Sequence, residues 1–346
     1  MPILLDEILE QPQVLRGLIE TGYAEIAAIA AEIRARGVRQ VLIAARGTSD
    51  NAATYAKYLL EIENGLPVAL AAPSVYTLYE RSPRLHDTLV VAVSQSGRSP
   101  DIVAVVADAR RQGMLTLAVT NAPGSPLAAA AERVIDCRAG EERSVAATKS
   151  YTATLAALAL LSVALAADDG RYAELRAMPE VVAETLALHV AAMAARAERY
   201  RYMEDCAVIA RGYNYATAFE VALKLKEMTY SRAQAYSSAD FLHGPIAAVA
   251  PGYPVVLVAP AGRTLADSRA LAEELRRRDA ELIAISDDEA LLAAAQTPLR
   301  LPAAVPEWLS PITAVLPGQL LAYRLALARG LDPEQPRGLR KITETR

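Results

Sequence analysis

Short, fully apolar runs alternate along the chain with longer segments rich in alanine and leucine. The runs lack the alternation of polar and apolar positions that marks a half-exposed strand, so they predict strands buried on both faces. This pattern favours an α/β fold of three layers, a parallel sheet flanked by helices. The predicted strands are Val41–Ala45, Leu89–Val93, Leu115–Val119, Val208–Ala210, Val255–Val258 and Leu282–Ile285. The predicted helices include Asn51–Glu61, Ile102–Arg111 and Ala216–Tyr230.

The second half of the chain repeats the first. A shift of 165 residues superposes a strand and two glycines, and the next strand matches within one residue. The matched positions are Leu89–Val93 with Pro254–Val258, Gly97 with Gly262, Gly47 with Gly212, and Thr116–Thr120 with Ile283–Ser286. Three registers in the same order predict a duplicated α/β unit.

The duplication leads to a simple domain organisation. Residues 1–24 are expected to form a helical segment, residues 25–165 the first subdomain and residues 190–330 the second. Residues 331–346 contain two prolines and a glycine and cannot extend the helix before them. A frayed tail is the simplest interpretation of this last segment.

Composition and charge narrow the classes of function. The 346 residues carry a net charge of −4 without long runs of like charge, which argues against nucleic-acid partners and polybasic membrane contacts. The acidic first residues do not resemble a signal peptide, so a cytoplasmic protein is expected. The longest apolar stretch, Leu155–Ala167, is too short to span a bilayer and predicts a buried helix.

The cysteines and histidines do not form a metal-ligand pattern. The two cysteines offer no Cys-x-x-Cys pair and are interpreted as buried core thiols. His86, His189 and His243 are not spaced as metal ligands, so no metal site is expected. His243 precedes Gly244–Pro245, which ends regular structure and leaves the imidazole on a loop. From the residues alone, a structural and a functional role for this histidine are equally open.

A loop dense in polar side chains follows the strand Leu89–Val93. Ser94, Gln95, Ser96 and Ser99 stand between this strand and the next helix, where backbone N–H groups and hydroxyls together bind phosphate. Ser99 could simply cap the helix, but one cap does not need the other three side chains.

Two further loops bear on the phosphate prediction. The loop after the first strand, Arg46–Asn51, has the same polar character, whereas the repeat copy Ala259–Thr264 lacks the first three polar side chains. Neither a Gly-x-Gly-x-x-Gly nor a Gly-x-x-x-x-Gly-Lys-Ser/Thr pattern occurs. A dinucleotide enzyme and a P-loop ATPase are therefore disfavoured, and no cofactor is expected.

The predicted helix Ala216–Tyr230 carries Glu220, Lys224, Lys226 and Glu227. Spacings of three and four residues place several of these charges on one face, and a solvated ladder of ion pairs is the simpler interpretation. A carboxylate held beside an ammonium could also serve as a proton-transferring base. Spacing leaves both interpretations open.

Seven short motifs in a fixed order are similar to those of the sugar isomerase (SIS) family. The chain resembles the isomerase half of glutamine:fructose-6-phosphate aminotransferases and, more closely, stand-alone glucosamine-6-phosphate deaminases. The motifs are Glu7–Pro12, Arg46–Ser49, Ser94–Gly97, Val145–Lys149, Leu223–Glu227, His243–Pro245 and Gln335–Arg337.

The resemblance implies two tandem SIS subdomains of flavodoxin-like topology, a homodimer, and a phosphorylated amino sugar as ligand. It implies that phosphate is bound by Ser49, Ser94, Gln95, Ser96 and Ser99, and that the sugar is also contacted by Gly47, Thr48, Val145 and Ala147. Glu227 would move a proton between sugar carbons 1 and 2, and Lys224 would steady the developing charge. His243 would assist ring opening across the dimer interface, and Lys341 of the tail would lie over the site and handle the carbonyl or imine.

Differences between this sequence and the aminotransferase motifs favour a deaminase. Ala147 and Leu242 stand where those enzymes usually have serine and lysine. No glutaminase part is expected before the isomerase part. We therefore expect conversion of glucosamine 6-phosphate to fructose 6-phosphate and ammonia. The alternatives are an isomerase-only relative of the aminotransferase, a deglycase for a fructosamine phosphate, and a non-catalytic sugar-phosphate sensor.

Overall fold

The protein is described by a computed structural model that covers residues 2–303 and 305–341. Up to residue 176 the elements are α1 (Ile3–Leu9), α2 (Gln11–Ala35), β1 (Gln40–Ala44), α3 (Thr48–Asn64), β2 (Val68–Leu70), α4 (Pro73–Thr77), β3 (Thr88–Val93), α5 (Pro100–Arg111), β4 (Leu115–Thr120), α6 (Pro126–Ala130), β5 (Arg133–Asp136), α7 (Lys149–Ala166) and α8 (Asp169–Arg176).

The remaining described chain continues the alternation. It contains α9 (Met178–His189), α10 (Met193–Glu198), β6 (Asp205–Ala210), α11 (Tyr215–Thr229), β7 (Arg232–Ser237), α12 (Ser238–Leu242), β8 (Pro254–Val258), α13 (Leu265–Arg277), β9 (Glu281–Ser286), α14 (Glu289–Ala294), β10 (Thr297–Arg300) and α15 (Ser310–Ala328). Short 3₁₀ helices lie at Gly212–Asn214, Pro245–Ala248 and Glu307–Leu309.

The chain divides into two compact units. The amino-terminal unit comprises Glu10–Arg143, Ala147–Pro179 and the tail from Arg340. The carboxyl-terminal unit comprises the chain up to Leu9, the short segment Ser144–Ala146, and Glu180–Leu339.

The amino-terminal unit is built on a five-stranded parallel sheet in the order β2-β1-β3-β4-β5. Every residue of β3 and β4 is buried, as the apolar runs predicted. One face of the sheet packs against α5, where Ile102, Val105 and Val106 contact Val90 and Ala92. Helix α7 packs against both α2 and α3 in the same unit, and α3 and α7 contact strands of the sheet. The sheet is therefore covered as an all-parallel sheet requires.

The carboxyl-terminal unit repeats this topology. Its parallel sheet has the order β7-β6-β8-β9-β10, which corresponds strand by strand to the first sheet. The predicted duplication and the α/β fold class are confirmed. Four strands, β2, β5, β7 and β10, lie at the sheet edges and were not predicted from the apolar runs.

Helix α7 accounts for the longest apolar stretch. It is long and apolar enough to be considered as a membrane span, but 89 % of its 18 residues are buried inside the protein. The prediction of a buried helix is confirmed.

Helices α11 and α15 approach closely at Gly318. A Cβ at this position would lie 2.3 Å from Val221 Cγ2, well inside van der Waals contact. Glycine at this crossing therefore permits the packing of α15 against α11.

We expect Gly318→Ala to lower the free energy of unfolding by about 1–3 kcal/mol, because the added methyl group overpacks a tight helix crossing. Urea denaturation followed by circular dichroism measures this change. Gly17→Ala in α2 is the matched control, since a Cβ at Gly17 meets nothing within 4 Å. An equal loss of stability in both variants would contradict the prediction.

Candidate active site

Two loops of the amino-terminal unit meet at the carboxyl ends of β1 and β3. These strands are neighbours, with Ala44 opposite Ala92, so the loops after them start side by side. The chain runs from β1 through α3 to β2 on one side, and from β3 through α5 to β4 on the other. Because such crossovers are right-handed, α3 and α5 lie on opposite faces of the sheet and leave a crevice between the loops. Parallel α/β sheets bind their ligands in this crevice.

The loop between β3 and α5 depends on Gly97. Its φ is +61°, in the left-handed region, and a Cβ would lie 2.0 Å from Ser125 Oγ. The Gly97 N–H donates to Ser94 Oγ at 3.1 Å, and the Gly97 carbonyl accepts from Leu127 N at 3.1 Å. The loop is thus preformed, which lowers the entropy cost of binding a ligand.

Three polar side chains at this crevice are available to a ligand. Ser49, Gln95 and Ser99 are partly exposed, and within the described residues their side chains make no hydrogen bond. Ser99 occupies the position before α5, but its hydroxyl makes no capping hydrogen bond. The geometry therefore does not support a serine that only caps the helix. Hydroxyl and amide donors beside a helix amino terminus are a typical phosphate-binding arrangement.

The equivalent loop of the carboxyl-terminal unit has its N–H groups occupied by carboxylates of the same unit. Ala261 N donates to Asp287 Oδ1 at 2.6 Å, and Arg263 N donates to Glu307 Oε2 at 3.0 Å. A Cβ at Gly262 would lie 2.3 Å from the Glu307 carboxyl carbon. An external anion would meet two negative charges here, which disfavours anion binding at this loop.

Helix α11 carries three charged side chains on one face. Lys224 Nζ lies 2.6 Å from Glu227 Oε2 and 3.4 Å from Glu220 Oε1. The Glu220 and Lys224 side chains are 0 % and 1 % exposed, whereas Glu227 is 23 % exposed. A solvated charge ladder, the simpler sequence-based interpretation, is therefore wrong.

The two carboxylates keep Lys224 charged. Burial alone would lower the pKa of Lys224, but the negative charges of Glu220 and Glu227 outweigh it and raise that pKa above its ordinary value. The ammonium group therefore stays protonated at neutral pH and holds one oxygen of Glu227. Since Glu227 also reaches solvent, it is the carboxylate of this cluster that can exchange a proton with a bound molecule.

The tail residue Lys341 is not frayed. Its ammonium group donates to Glu142 Oε2 at 2.7 Å, and Glu142 is fully buried. The same carboxylate accepts hydrogen bonds from Thr148 N, Ser150 N and Ser150 Oγ at the start of α7. Burial would raise the pKa of Glu142, but Lys341 and Ser150 more than offset it and lower that pKa. An ionised carboxylate thus joins the tail to the segment before α7.

The other predicted site residues are placed as follows. Gly47 has a φ of +55° and precedes α3, and Thr48 begins that helix. Val145 and Ala147 are half-buried in the segment before α7. His243 follows α12, is exposed, and makes no side-chain hydrogen bond with the residues that the structure describes. Its predicted position outside regular structure is confirmed.

The remaining histidines differ in burial, and both cysteines are buried. His189 is buried and bonds the Arg300 carbonyl at 2.8 Å, whereas His86 is exposed. Burial raises the pKa of the Cys137 and Cys206 thiols to about 12, so both remain protonated near neutral pH. The prediction of core thiols is confirmed. Among the described residues, no group of three or more His, Cys, Asp or Glu side chains could hold a metal ion.

Two features of the site were missed from the sequence. One is Glu142, whose burial depends on contacts with residues far along the chain. The other is an ion pair between Arg46 Nε and Asp101 Oδ2 at 2.8 Å, which joins the loop after β1 to the first turn of α5. The repeat offered a partial signal for this pair, because Arg211 corresponds to Arg46 and Asp267 lies one residue beyond the position that corresponds to Asp101.

The SIS domain family matches residues 36–164 and 204–329, the regions of the two sheets. This chain belongs to the SIS family. It is 36 % identical over 349 residues to the glutamine–fructose-6-phosphate aminotransferase (isomerizing) of Thermococcus kodakarensis and 38 % identical over 356 residues to that of Thermus thermophilus. Both matches cover 98 % of this chain but only 57 % and 58 % of the relatives' own length.

Solved structures share the whole fold of this SIS chain. A protein described as a phosphosugar isomerase from Silicibacter pomeroyi has a TM-score of 0.87 at 34 % identity, with 96 % of this chain and 100 % of that chain covered. The carboxyl-terminal domain of the aminotransferase from Francisella tularensis has a TM-score of 0.87 at 28 % identity, with 96 % and 98 % covered. Glucosamine-6-phosphate deaminase from Thermotoga maritima has a TM-score of 0.79 at 21 % identity, with 99 % of each chain covered, and shares the fold. The chain is therefore an SIS protein that resembles an isomerase domain.

We expect Glu142→Gln to lower the free energy of unfolding by about 1–3 kcal/mol at pH 7, because it removes a buried charge partner of Lys341. The folded-state pKa of Glu142 is lowered, so its stabilising contribution is present above the unfolded pKa of about 4.3 and is lost as the pH falls through the lower folded pKa.

Urea titrations between pH 7 and pH 3 measure this effect. The gap between wild type and Glu142→Gln should narrow in the acidic range. Glu141→Gln removes the same charge from the neighbouring exposed residue and should leave stability almost unchanged. A gap that stays constant down to pH 3 would contradict the role assigned to the ionised carboxylate.

Proposed function

We propose that this SIS protein binds a phosphorylated amino sugar and converts glucosamine 6-phosphate to fructose 6-phosphate and ammonia. The observation that carries the proposal is the preformed crevice at the ends of β1 and β3, with Ser49, Gln95 and Ser99 available to an anion. Membership in the SIS family and similarity to proteins named for phosphosugar isomerisation support the choice of a sugar phosphate.

The phosphate group would be held by the polar loops of the amino-terminal unit. Ser49, Ser94, Gln95, Ser96 and Ser99 supply donors, while Gly47, Thr48, Val145 and Ala147 contact the sugar. Binding at the non-reacting end of the substrate orients the carbons that react. This anchoring is common to all sugar 6-phosphates, so it does not by itself select one sugar.

Proton transfer in this proposal belongs to Glu227. Its carboxylate takes the proton from carbon 2 of the open-chain amino sugar and returns it to carbon 1, which leaves an imine at carbon 2. Water then adds to the imine carbon, and ammonia leaves as the carbon–nitrogen bond breaks. The Lys224 ammonium, 2.6 Å from Glu227, stabilises the negative charge that develops during the transfer.

Two further residues complete the proposal. His243 is an exposed imidazole and would assist ring opening, contributed across the interface of a homodimer. Lys341 would contact the sugar carbonyl or imine. Its ammonium group already donates a hydrogen bond to Glu142, and an ammonium of this kind can also donate to a carbonyl oxygen or imine nitrogen.

A second candidate function is isomerisation as part of an aminotransferase. The observation that favours it is the identity of 36–38 % to isomerizing aminotransferases. A deglycase acting on another amino-sugar phosphate would use the same phosphate loops. A sensor without catalysis would not need a buried ammonium that holds a partly exposed carboxylate, so the α11 cluster favours an enzyme.

We expect the purified protein to release ammonia and fructose 6-phosphate from glucosamine 6-phosphate in a coupled assay, and Glu227→Gln to lower kcat by at least about 100-fold with little change in sugar-phosphate affinity. The matched control is Glu273→Gln on the exposed face of α13, which should keep full activity. Turnover of a fructosamine phosphate without ammonia release from glucosamine 6-phosphate would favour the deglycase. If Glu227→Gln turns over substrate at the wild-type rate, Glu227 is not the base.

We expect Gly97→Ala to weaken the binding of inorganic phosphate by at least about tenfold, because the left-handed φ and the contact with Ser125 leave no room for a Cβ. Isothermal titration calorimetry with phosphate measures the effect. Gly124→Ala in the neighbouring loop is the control, since its Cβ meets nothing within 4 Å. If the two variants bind phosphate equally well, the loop is not the anion site.

A further inference from the structure

A buried carboxylate lies beside the proposed phosphate loop. Asp101 is in the first turn of α5, two residues after Ser99, and its side chain is 0 % exposed. An acid is favourable at the amino end of a helix, but an ionised acid here would repel a phosphate bound at the same helix end. Asp101 Oδ1 accepts a hydrogen bond from Ile102 N at 2.9 Å, and a positive charge nearby would further reduce the repulsion between Asp101 and a bound phosphate.

Arg46 supplies this charge from the neighbouring loop. Its Nε donates to Asp101 Oδ2 at 2.8 Å, while 47 % of the arginine side chain remains exposed. Arg46 directly precedes Gly47, where the chain turns into α3. The ion pair thus joins the loop after β1 to the first turn of α5, directly after the proposed phosphate loop.

The second copy of the repeat helps to distinguish two roles of Arg46, contact with phosphate and pairing with Asp101. In the carboxyl-terminal unit Arg211, which corresponds to Arg46, has its Nη1 2.7 Å from Asp267 Oδ2. Asp267 lies one residue beyond the position that corresponds to Asp101. The loop there lacks the polar side chains, and carboxylates of the same unit occupy its N–H groups. An arginine–aspartate pair is therefore also present beside a loop whose N–H groups are occupied by carboxylates, so its presence does not depend on an anion site.

The two pairs differ in their exposure to water. The Asp267 side chain is 58 % exposed, whereas Asp101 is fully buried. Water screens the charge of Asp267 but not that of Asp101. Only in the amino-terminal unit does the arginine have to cancel an unscreened carboxylate beside an anion site.

We propose that Arg46 is a positioning residue for sugar-phosphate binding, which acts by neutralising Asp101 and holding the loop after β1 against the start of α5 rather than by contacting the phosphate. This inference rests on the proposed function of the loops. Arg46 and Asp101 would then belong to the site in addition to the serine and glutamine side chains of the loops.

A double-mutant cycle with Arg46→Met and Asp101→Asn tests this role. The readouts are the dissociation constants of inorganic phosphate and glucosamine 6-phosphate, measured by calorimetry in low salt. Arg46→Met leaves a buried negative charge beside the phosphate and should weaken binding at least about tenfold. Asp101→Asn should change it less than about threefold, and the double variant should regain most of the loss.

The outcomes of the cycle are distinct. A double variant that binds as weakly as Arg46→Met would overturn the proposal, because it would mean that Arg46 contacts the phosphate itself. Phosphate binding that is unchanged in Arg46→Met would overturn it as well. Arg211→Met is the matched control and should leave phosphate binding at the wild-type level. If Arg211→Met loses as much phosphate affinity as Arg46→Met, the effect comes from removing any positive charge, and the proposal is overturned.

Two further measurements keep the test decisive. If Arg46→Met fails to fold, Arg46→Lys retains the positive charge and should bind phosphate within about threefold of wild type, so a larger loss counts against neutralisation. Gly97→Ala distinguishes this inference from the proposed function. If Gly97→Ala binds phosphate as tightly as wild type, the loop after β3 is not the phosphate site and the proposed function fails. If Gly97→Ala binds phosphate more weakly but Arg46→Met binds it normally, only the role of Arg46 is rejected.

Discussion

Parallel hydrogen bonding between β1 and β3 is the constraint on which the candidate phosphate site depends. The two strands are separated along the chain by two helices and an edge strand, yet their pairing starts the loops at Gly47 and Gly97 side by side. The right-handed crossovers then send the following helices to opposite faces. Both glycines have positive φ values, so the backbone at this edge takes a conformation that side chains rarely allow. The backbone geometry forms the crevice, and the polar side chains line it.

Burial gives the charged residues their chemical character. The charges on α11 follow a spacing that is common on solvated helices, but Glu220 and Lys224 lie out of water, where an uncompensated charge is costly. The protein compensates by pairing one ammonium with two carboxylates and leaves only Glu227 partly exposed. Glu142 follows the same logic in the other unit, where a buried carboxylate is satisfied by backbone N–H groups, a hydroxyl and the Lys341 ammonium.

The two copies of the duplicated unit show how one topology can support different roles. Both keep the strand order, a glycine of positive φ after the first strand, and an arginine–aspartate pair beside the loops. In the second copy Asp287 and Glu307 occupy the loop N–H groups, so backbone donors that could serve a ligand are satisfied internally. Buried or partly buried N–H groups need a partner in either case. The difference between the copies is the kind of partner: serine hydroxyls accept from Gly97 N and Arg98 N in the first loop, whereas carboxylates accept in the second.

The sequence by itself determined the fold class, the duplication and the order of the motifs, because completely apolar strands and their repeat spacing are local patterns. It also placed Ser94–Ser99 at the end of a strand and located His243 outside regular structure. The edge strands β2, β5, β7 and β10 did not follow from it, since edge strands are short or half-exposed and lack a continuous apolar run. Only the tertiary structure decided that the α11 charges are buried, that Lys341 is paired with Glu142, and that Arg46 reaches Asp101. Each of these depends on packing between segments distant in the chain, and burial of that kind has no local signature.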